Sequence, residues 1–169
     1  EINGYYVHFA GEPAGRGEHK RAGIPPDNEG HAVRIVKRKP SIEEYKQLQA
    51  SIWGASGNDQ VVENVMGTAD LMVVAEDVVT GEVIGCALLL SDQARFYCLK
   101  NVMVRQDWQG RGVGTAMMKE LMQRLESGIT APAMVGLFVR ESLEPFYQQF
   151  GFLASFWMVK EIGPSQGSH

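Results

Sequence analysis

Apolar and polar positions change period several times along the chain, and each change marks an element. From His31 to Arg38 apolar and basic residues alternate: Val33 and Ile35 point one way, Arg34 the other, and Val36 is ambiguous. That is the period of a strand. Ser41 with Glu44 three residues on is a capping box. Tyr45, Leu48 and Ile52 then recur at helical spacing, which predicts a helix from Ile42 to about Trp53. Residues 54–57 break it, and Asp59 to Met66 read as a second short helix. Leu71–Glu76 and Glu82–Leu90 flank Thr80-Gly81, a hairpin signal. A strand over Phe96–Val104 follows, then a helix over Gly110–Leu125 with Met117, Met118, Leu121, Met122 and Leu125 on its buried stripe. Met134–Val139 reads as a buried strand. Pro145–Phe150 reads as a short helix, with Pro145 in the first turn and Gly151 just past the end. Phe152–Glu161 reads as a final strand.

Before this series, Ile2–Ala10 carries an aromatic, β-favouring run, Tyr5-Tyr6-Val7-His8-Phe9, and residues 11–30 are rich in Gly, Pro and charge and read as loop. The whole order predicts an α/β fold, a mixed and mostly antiparallel sheet flanked by helices. Composition narrows the class. A chain of 169 residues suits one domain. Hydrophobic and charged fractions of 44% and 21% are ordinary for a soluble globular protein. No apolar run is long enough to span a membrane, and the first residues lack the pattern of a signal peptide. Cys86 and Cys98 lie apart with no CxxC, which points to free thiols in a reducing cytoplasm rather than a disulfide framework or a metal site. A net charge of −4 argues against a dedicated nucleic-acid binder and is compatible with a cationic amine substrate. Residues 163–169 read as a tail ending in a tag remnant, Gly167-Ser168-His169.

The candidate chemistry centres on Gln109-Gly110-Arg111-Gly112-Val113-Gly114-Thr115, between the Phe96–Val104 strand and the following helix. A glycine-rich turn at a helix N-terminus presents unpaired backbone N–H groups and partial positive charge, a ready phosphate site. It is not a P-loop, because no Lys-Ser or Lys-Thr pair closes it. Nor is it a Rossmann fingerprint: the glycines fall as Gly-x-Gly-x-Gly, and Glu126 lies at the end of the same helix rather than after a second strand. A nucleotide-binding protein is thereby disfavoured. Downstream, Phe146-Tyr147-Gln148-Gln149-Phe150-Gly151-Phe152 follows the Met134–Val139 strand, with Phe146 and Phe150 on one face of a short helix and Tyr147 pointing elsewhere.

The order Gln-x-x-Gly-x-Gly, then Phe-Tyr-x-x-Phe-Gly-Phe, resembles the GNAT N-acetyltransferase superfamily, over residues 31–162, with residues 1–30 as an extension. The resemblance implies the GNAT acyl-CoA N-acyltransferase fold, with acetyl-CoA as co-substrate and no metal. It places Gln109, Gly110, Arg111, Gly112, Val113, Gly114 and Thr115 on the CoA phosphates, and Val102, Met103 and Val104 along pantetheine by backbone groups. An N–H of Val102 or a neighbour would then polarise the thioester. Tyr147 becomes the general acid for the leaving thiolate. The activity implied is transfer of acetyl to a primary amine, on a small molecule or a peptide, by direct attack, since no cysteine is placed for a ping-pong route. The alternative is a CoA-binding regulatory or interaction module with little turnover.

Three departures from the family pattern stand out. Lys100 and Asn101 occupy the strand where some members place a Glu, so the amine proton falls to a water chain, Asp92, Glu76 or a His such as His31. Arg140, Glu141 and Ser142 stand where the family commonly has Asn, and Ser142 could partly substitute. The family usually closes with two strands after the last helix, and Phe152–Ile162 has room for one. The aromatic run at Ile2–Ala10 is therefore expected to cover the sheet margin near the C-terminal strand, within the chain or by exchange in a homodimer. The competing expectation is a hairpin of residues 1–30 with His31–Arg38. Trp53, Phe156 and Trp157 are candidates for an aromatic acceptor pocket, though core packing suits each.

Overall fold

The computed structural model describes residues 23–24 and 32–155. Among these residues six strands form one sheet in sequence order: β1 Gly23–Ile24, β2 Val33–Val36, β3 Leu71–Asp77, β4 Val83–Ser91, β5 Phe96–Val104 and β6 Met134–Gly136. Neighbours are antiparallel from β1 to β5, and β6 joins β5 in parallel. Helices α1 (Ile42–Trp53) and α2 (Asp59–Thr68) stand between β2 and β3, α3 (Val113–Gly128) between β5 and β6, and α4 (Glu144–Gln148) after β6. Among the described residues no helix is long and apolar enough to cross a membrane.

The two central strands read as nearly unbroken apolar runs because helices cover both faces of the sheet. Val73, Ala75, Ile84, Ala87 and Leu89 join the α3 residues Met117, Met118 and Leu121 in one core. Met72, Val74, Cys86 and Leu88 turn the other way, against Tyr45, Leu48 and Ile52 of α1 and Val62 and Met66 of α2. Full burial of each Val, Leu, Ile or Met among these is worth about 1.5–3 kcal/mol. The α1 boundaries are local in origin. The Ser41 hydroxyl accepts from Glu44 N at 3.1 Å, the Glu44 carboxylate accepts from Ser41 N at 2.7 Å, and Gly54 ends the helix at φ 73°.

An ion-pair network fixes α1 to the sheet. Glu76, on β3, accepts from Arg34 at 2.7 Å and from Arg38 at 2.8 Å, and Arg38 reaches on to Glu44 at 2.8 Å. Burial pushes the Glu76 carboxyl up, but the hydrogen bonds from Arg34 and Arg38 outweigh it and hold the group below its ordinary value.

Several expectations need correction. The strand predicted over Met134–Val139 is only three residues long, and it is not buried: Met134 is 66% and Phe138 46% exposed. An apolar run shows no sign of how many partners its strand has, and among the described residues β6 pairs with β5 alone. Gly23–Ile24, read as loop, pairs with Val33–Arg34 and so is the last strand beside β2 among the described residues. Residues 152–155 form no strand. The Ile2–Ala10 segment, His31, and the 156–161 part of the predicted last strand, with Phe156 and Trp157, lie outside the described residues.

Candidate active site

β5 changes character along its length. Its first residues are paired on both sides: Phe96, Tyr97 and Cys98 face Met134, Val135 and Gly136 of β6 while Tyr97 and Cys98 also pair with Ser91 and Leu90 of β4. β6 then leaves the ladder, and among the described residues the β5 backbone from Leu99 to Val104 pairs with β4 alone. The β4 pairing itself slips there. Lys100 faces Leu88 and Met103 faces Cys86, so two β5 residues oppose the single Ala87, a β-bulge. Asn101 sits in it at φ 50°. The slip reverses the facing of the strand. Leu99, Val102 and Val104 all pack in the α3-side core, whereas Met103 packs with α1 and α2. An open strand edge is a place where an extended ligand adds by backbone hydrogen bonds.

The chain leaving this edge turns through Gln106–Trp108, one turn of 3₁₀ helix, into the glycine loop. Gln109 Nε2 donates to Val104 O at 2.9 Å, so its side chain ties the loop back to the strand end. Trp108 is buried, and the exposed Arg111 guanidinium lies 5.0 Å from the centre of its ring. Gly110 and Gly112 have φ of 75° and 79°, a left-handed conformation that residues with a Cβ seldom adopt. Gly112 is the N-cap of α3, which begins at Val113 rather than at Gly110 as expected. The first intrahelical bond there is Ala116 N to Gly112 O at 3.0 Å, so Val113, Gly114 and Thr115 hold N–H groups that the helix itself does not use. No side chain caps this terminus and no acidic residue stands in its first turn. Those features fit the phosphates of a CoA ester, which need donors and positive potential without a competing carboxylate. Val113 and Gly114 are buried; Thr115 is half-buried.

Tyr147, on α4, is only 2% exposed and packs edge-on against Phe146 and Phe152, with ring centres 5.0 and 5.8 Å away. It shares the α3-side core with Val102, Val104, Trp108 and Val113. Its hydroxyl is buried and has no hydrogen-bond partner among the described residues. Burial drives the phenol well above its ordinary pKa, so it stays protonated. An unsatisfied buried hydroxyl costs roughly 1–3 kcal/mol, which a ligand atom accepting its proton would offset. Phe150 meets Phe146 with ring centres 5.4 Å apart, which agrees with a shared face.

The acidic candidates for a base are otherwise engaged. Asp92 accepts from Ala94, Arg95 and Phe96 N at 2.8, 2.9 and 3.0 Å, and these backbone bonds hold it below its usual value and fix the β4–β5 turn. Glu76 belongs to the arginine network. Ser142 is exposed in a 3₁₀ turn, Glu141–Leu143. Cys98 is half-buried, which raises its thiol pKa, and Cys86 is fully buried. No cluster of His, Cys, Asp and Glu able to hold a metal occurs among the described residues. The residue that sequence reading undervalued is Asn101. A polar, β-disfavoured residue inside an apolar strand was the available sign of the bulge.

Comparisons with known proteins agree with this geometry. A family model for the acetyltransferase (GNAT) domain matches residues 68–153. No curated protein matches the sequence. Among solved structures, a Trypanosoma brucei acetyltransferase superimposes with a TM-score of 0.63 at 20% identity, over 77% of this chain and 99% of that one. Glucosamine-6-phosphate N-acetyltransferase from Arabidopsis thaliana gives 0.60 at 13% identity, over 77% and 97%. An aminoglycoside N-acetyltransferase in complex with CoA gives 0.60 at 16% identity, over 81% and 98%. The chain belongs to the GNAT family and is an acetyltransferase.

Proposed function

We propose that the protein moves acetyl from acetyl-CoA to a primary amine, on a small molecule or a peptide, by direct attack of the amine on the thioester. The observation that carries this reading is the uncapped N-terminus of α3 at the end of an open strand edge. The N–H groups of Val113, Gly114 and Thr115 bind the pyrophosphate. Gly110 and Gly112 supply the turn, Gln109 anchors it to β5, and Arg111 adds positive charge at its rim. Val102, Met103 and Val104 hold pantetheine by their backbone, and an N–H at the bulge polarises the thioester carbonyl. Tyr147, kept protonated by burial, donates to the departing thiolate without carrying charge. With Asp92 and Glu76 held in structural bonds, the ammonium proton of the acceptor passes to water.

Two measurements test the reading. Thermal stabilisation by acetyl-CoA, and none by ATP or NAD, is expected; stabilisation by ATP or NAD alone contradicts it. A free-thiol assay over a panel of sugar, polyamine, arylalkylamine and peptide amines is expected to find an acceptor. With that acceptor, Tyr147→Phe should lower kcat by about 10²–10⁴-fold with little change in acetyl-CoA affinity. Near-normal turnover would reduce Tyr147 to a packing residue.

A further inference from the structure

The bulge in β5 is held from outside the strand. Asn101 is a non-glycine residue with a left-handed φ of 50°. Asn tolerates that region better than most residues, yet it still needs a surrounding structure that imposes it. Two contacts supply this. Asn101 Nδ2 donates to the hydroxyl of Tyr45 on α1, and Asn101 O accepts from the Cys86 thiol on β4 at 3.7 Å. Tyr45 is 1% exposed and Cys86 fully buried, so the partners that hold the half-buried Asn101 are themselves fixed in the core. Tyr45 is in turn fixed on a helix whose start is locked by the capping box and the Arg38–Glu44 pair.

A strand without the slip would alternate regularly. Leu99 and Val102 could not then share the α3-side core, and the amides between them would turn by half a period. The Tyr45–Asn101 contact therefore fixes which β5 amides face the open edge. Resting on the reading above, in which such an amide polarises the thioester, we infer that Tyr45 is a positioning residue for acetyl transfer. It acts through Asn101 from the opposite face of the sheet to α3, and touches neither substrate.

The test uses the full chain and [1-¹³C]acetyl-CoA as probe, with Tyr45→Phe, Asn101→Gly and the double variant. Phenylalanine keeps the ring and removes only the hydroxyl; glycine adopts φ > 0 with no side-chain support. In Tyr45→Phe the infrared carbonyl stretch of bound acetyl-CoA should move toward its solution value. The Asn101 Cα chemical shift should leave its left-handed value, and the affinity for CoA itself should stay within about twofold. Turnover should fall roughly tenfold or more, since small misplacements of reacting groups carry penalties up to about 10²-fold. Adding Tyr45→Phe to Asn101→Gly should change nothing further, because the Tyr45–Asn101 hydrogen bond is already absent there. An unchanged stretch and unchanged Asn101 shift in Tyr45→Phe would overturn the inference, as would an equal effect of Tyr45→Phe in both backgrounds. Failure of the wild type to bind acetyl-CoA would instead overturn the functional reading, and the Asn101 shift would still decide whether Tyr45 holds the bulge.

Discussion

Two helix N-termini in this molecule are finished in opposite ways. At α1, Ser41 and Glu44 satisfy each other's backbone donors, and Glu43 and Glu44 place negative charge in the first turn. At α3, the N-cap is Gly112, no side chain accepts a bond, and the first turn holds no acid. α2 follows the α1 pattern, with Asn58 accepting from Val61 N at 2.9 Å. With Gly112 as its N-cap, α3 gives up only about a few tenths of a kcal/mol relative to a good Ser or Asn cap. α1 and α2 use their dipoles to stabilise themselves. α3 leaves its own without a side-chain cap, at a terminus that follows a strand edge open among the described residues.

The largest effect should come from closing the α3 turn. Gly112→Val puts a β-branched residue at φ 79°, so acetyl-CoA affinity should drop by more than about 10²-fold. Titration calorimetry measures this, and retained affinity would show that the turn is not the phosphate site. Next in size, Thr115→Glu gives α3 the carboxylate that Glu44 provides at the same helical position of α1. Acetyl-CoA affinity should fall several-fold while the melting temperature holds or rises, because an acid there stabilises the helix by about 0.3–1 kcal/mol. The reciprocal change, Ser41→Ala, should cost about 1 kcal/mol in urea unfolding and leave acetyl-CoA affinity unaltered. Loss of affinity there would erase the distinction between the two termini.

The smallest effect concerns pH. The hydrogen bond from Arg38, joined by that from the Ser41 amide and opposed by burial, holds the Glu44 carboxyl below its ordinary value. A depressed carboxyl stabilises the fold above its unfolded pKa, and that contribution disappears as pH falls through the lower folded value. Unfolding free energy should therefore decline as pH drops below about 4.5, and decline less steeply in Glu44→Gln, which keeps a capping side chain but loses the charge.

The α1 terminus was legible from the sequence because a capping box and a helical stripe are local; Ser41, Glu44, Tyr45, Leu48 and Ile52 all stand as read. The glycine loop was legible for the same reason, since left-handed turns select glycine at Gly110 and Gly112. The bulge was not. Register belongs to a pair of strands, and nothing near Asn101 states that Ala87 will face two residues. β6 was misjudged because Met134–Val139 has interior composition on a short strand that, among the described residues, pairs with β5 alone and leaves Met134 and Phe138 exposed. Tyr147 could be named but not its isolation: that its hydroxyl lacks a partner among the described residues depends on Phe146, Phe152 and the α3-side core meeting around it.

The central claim is that acetyl-CoA phosphates bind the free amides of α3 and not the self-capped ones of α1. Backbone ¹H–¹⁵N shifts during titration with acetyl-CoA test it most directly. The account predicts the largest saturable shifts at Gly112, Val113, Gly114 and Thr115, with Ile42, Glu43 and Glu44 unmoved. Saturable binding that leaves the Gly112–Thr115 amides unshifted would contradict it.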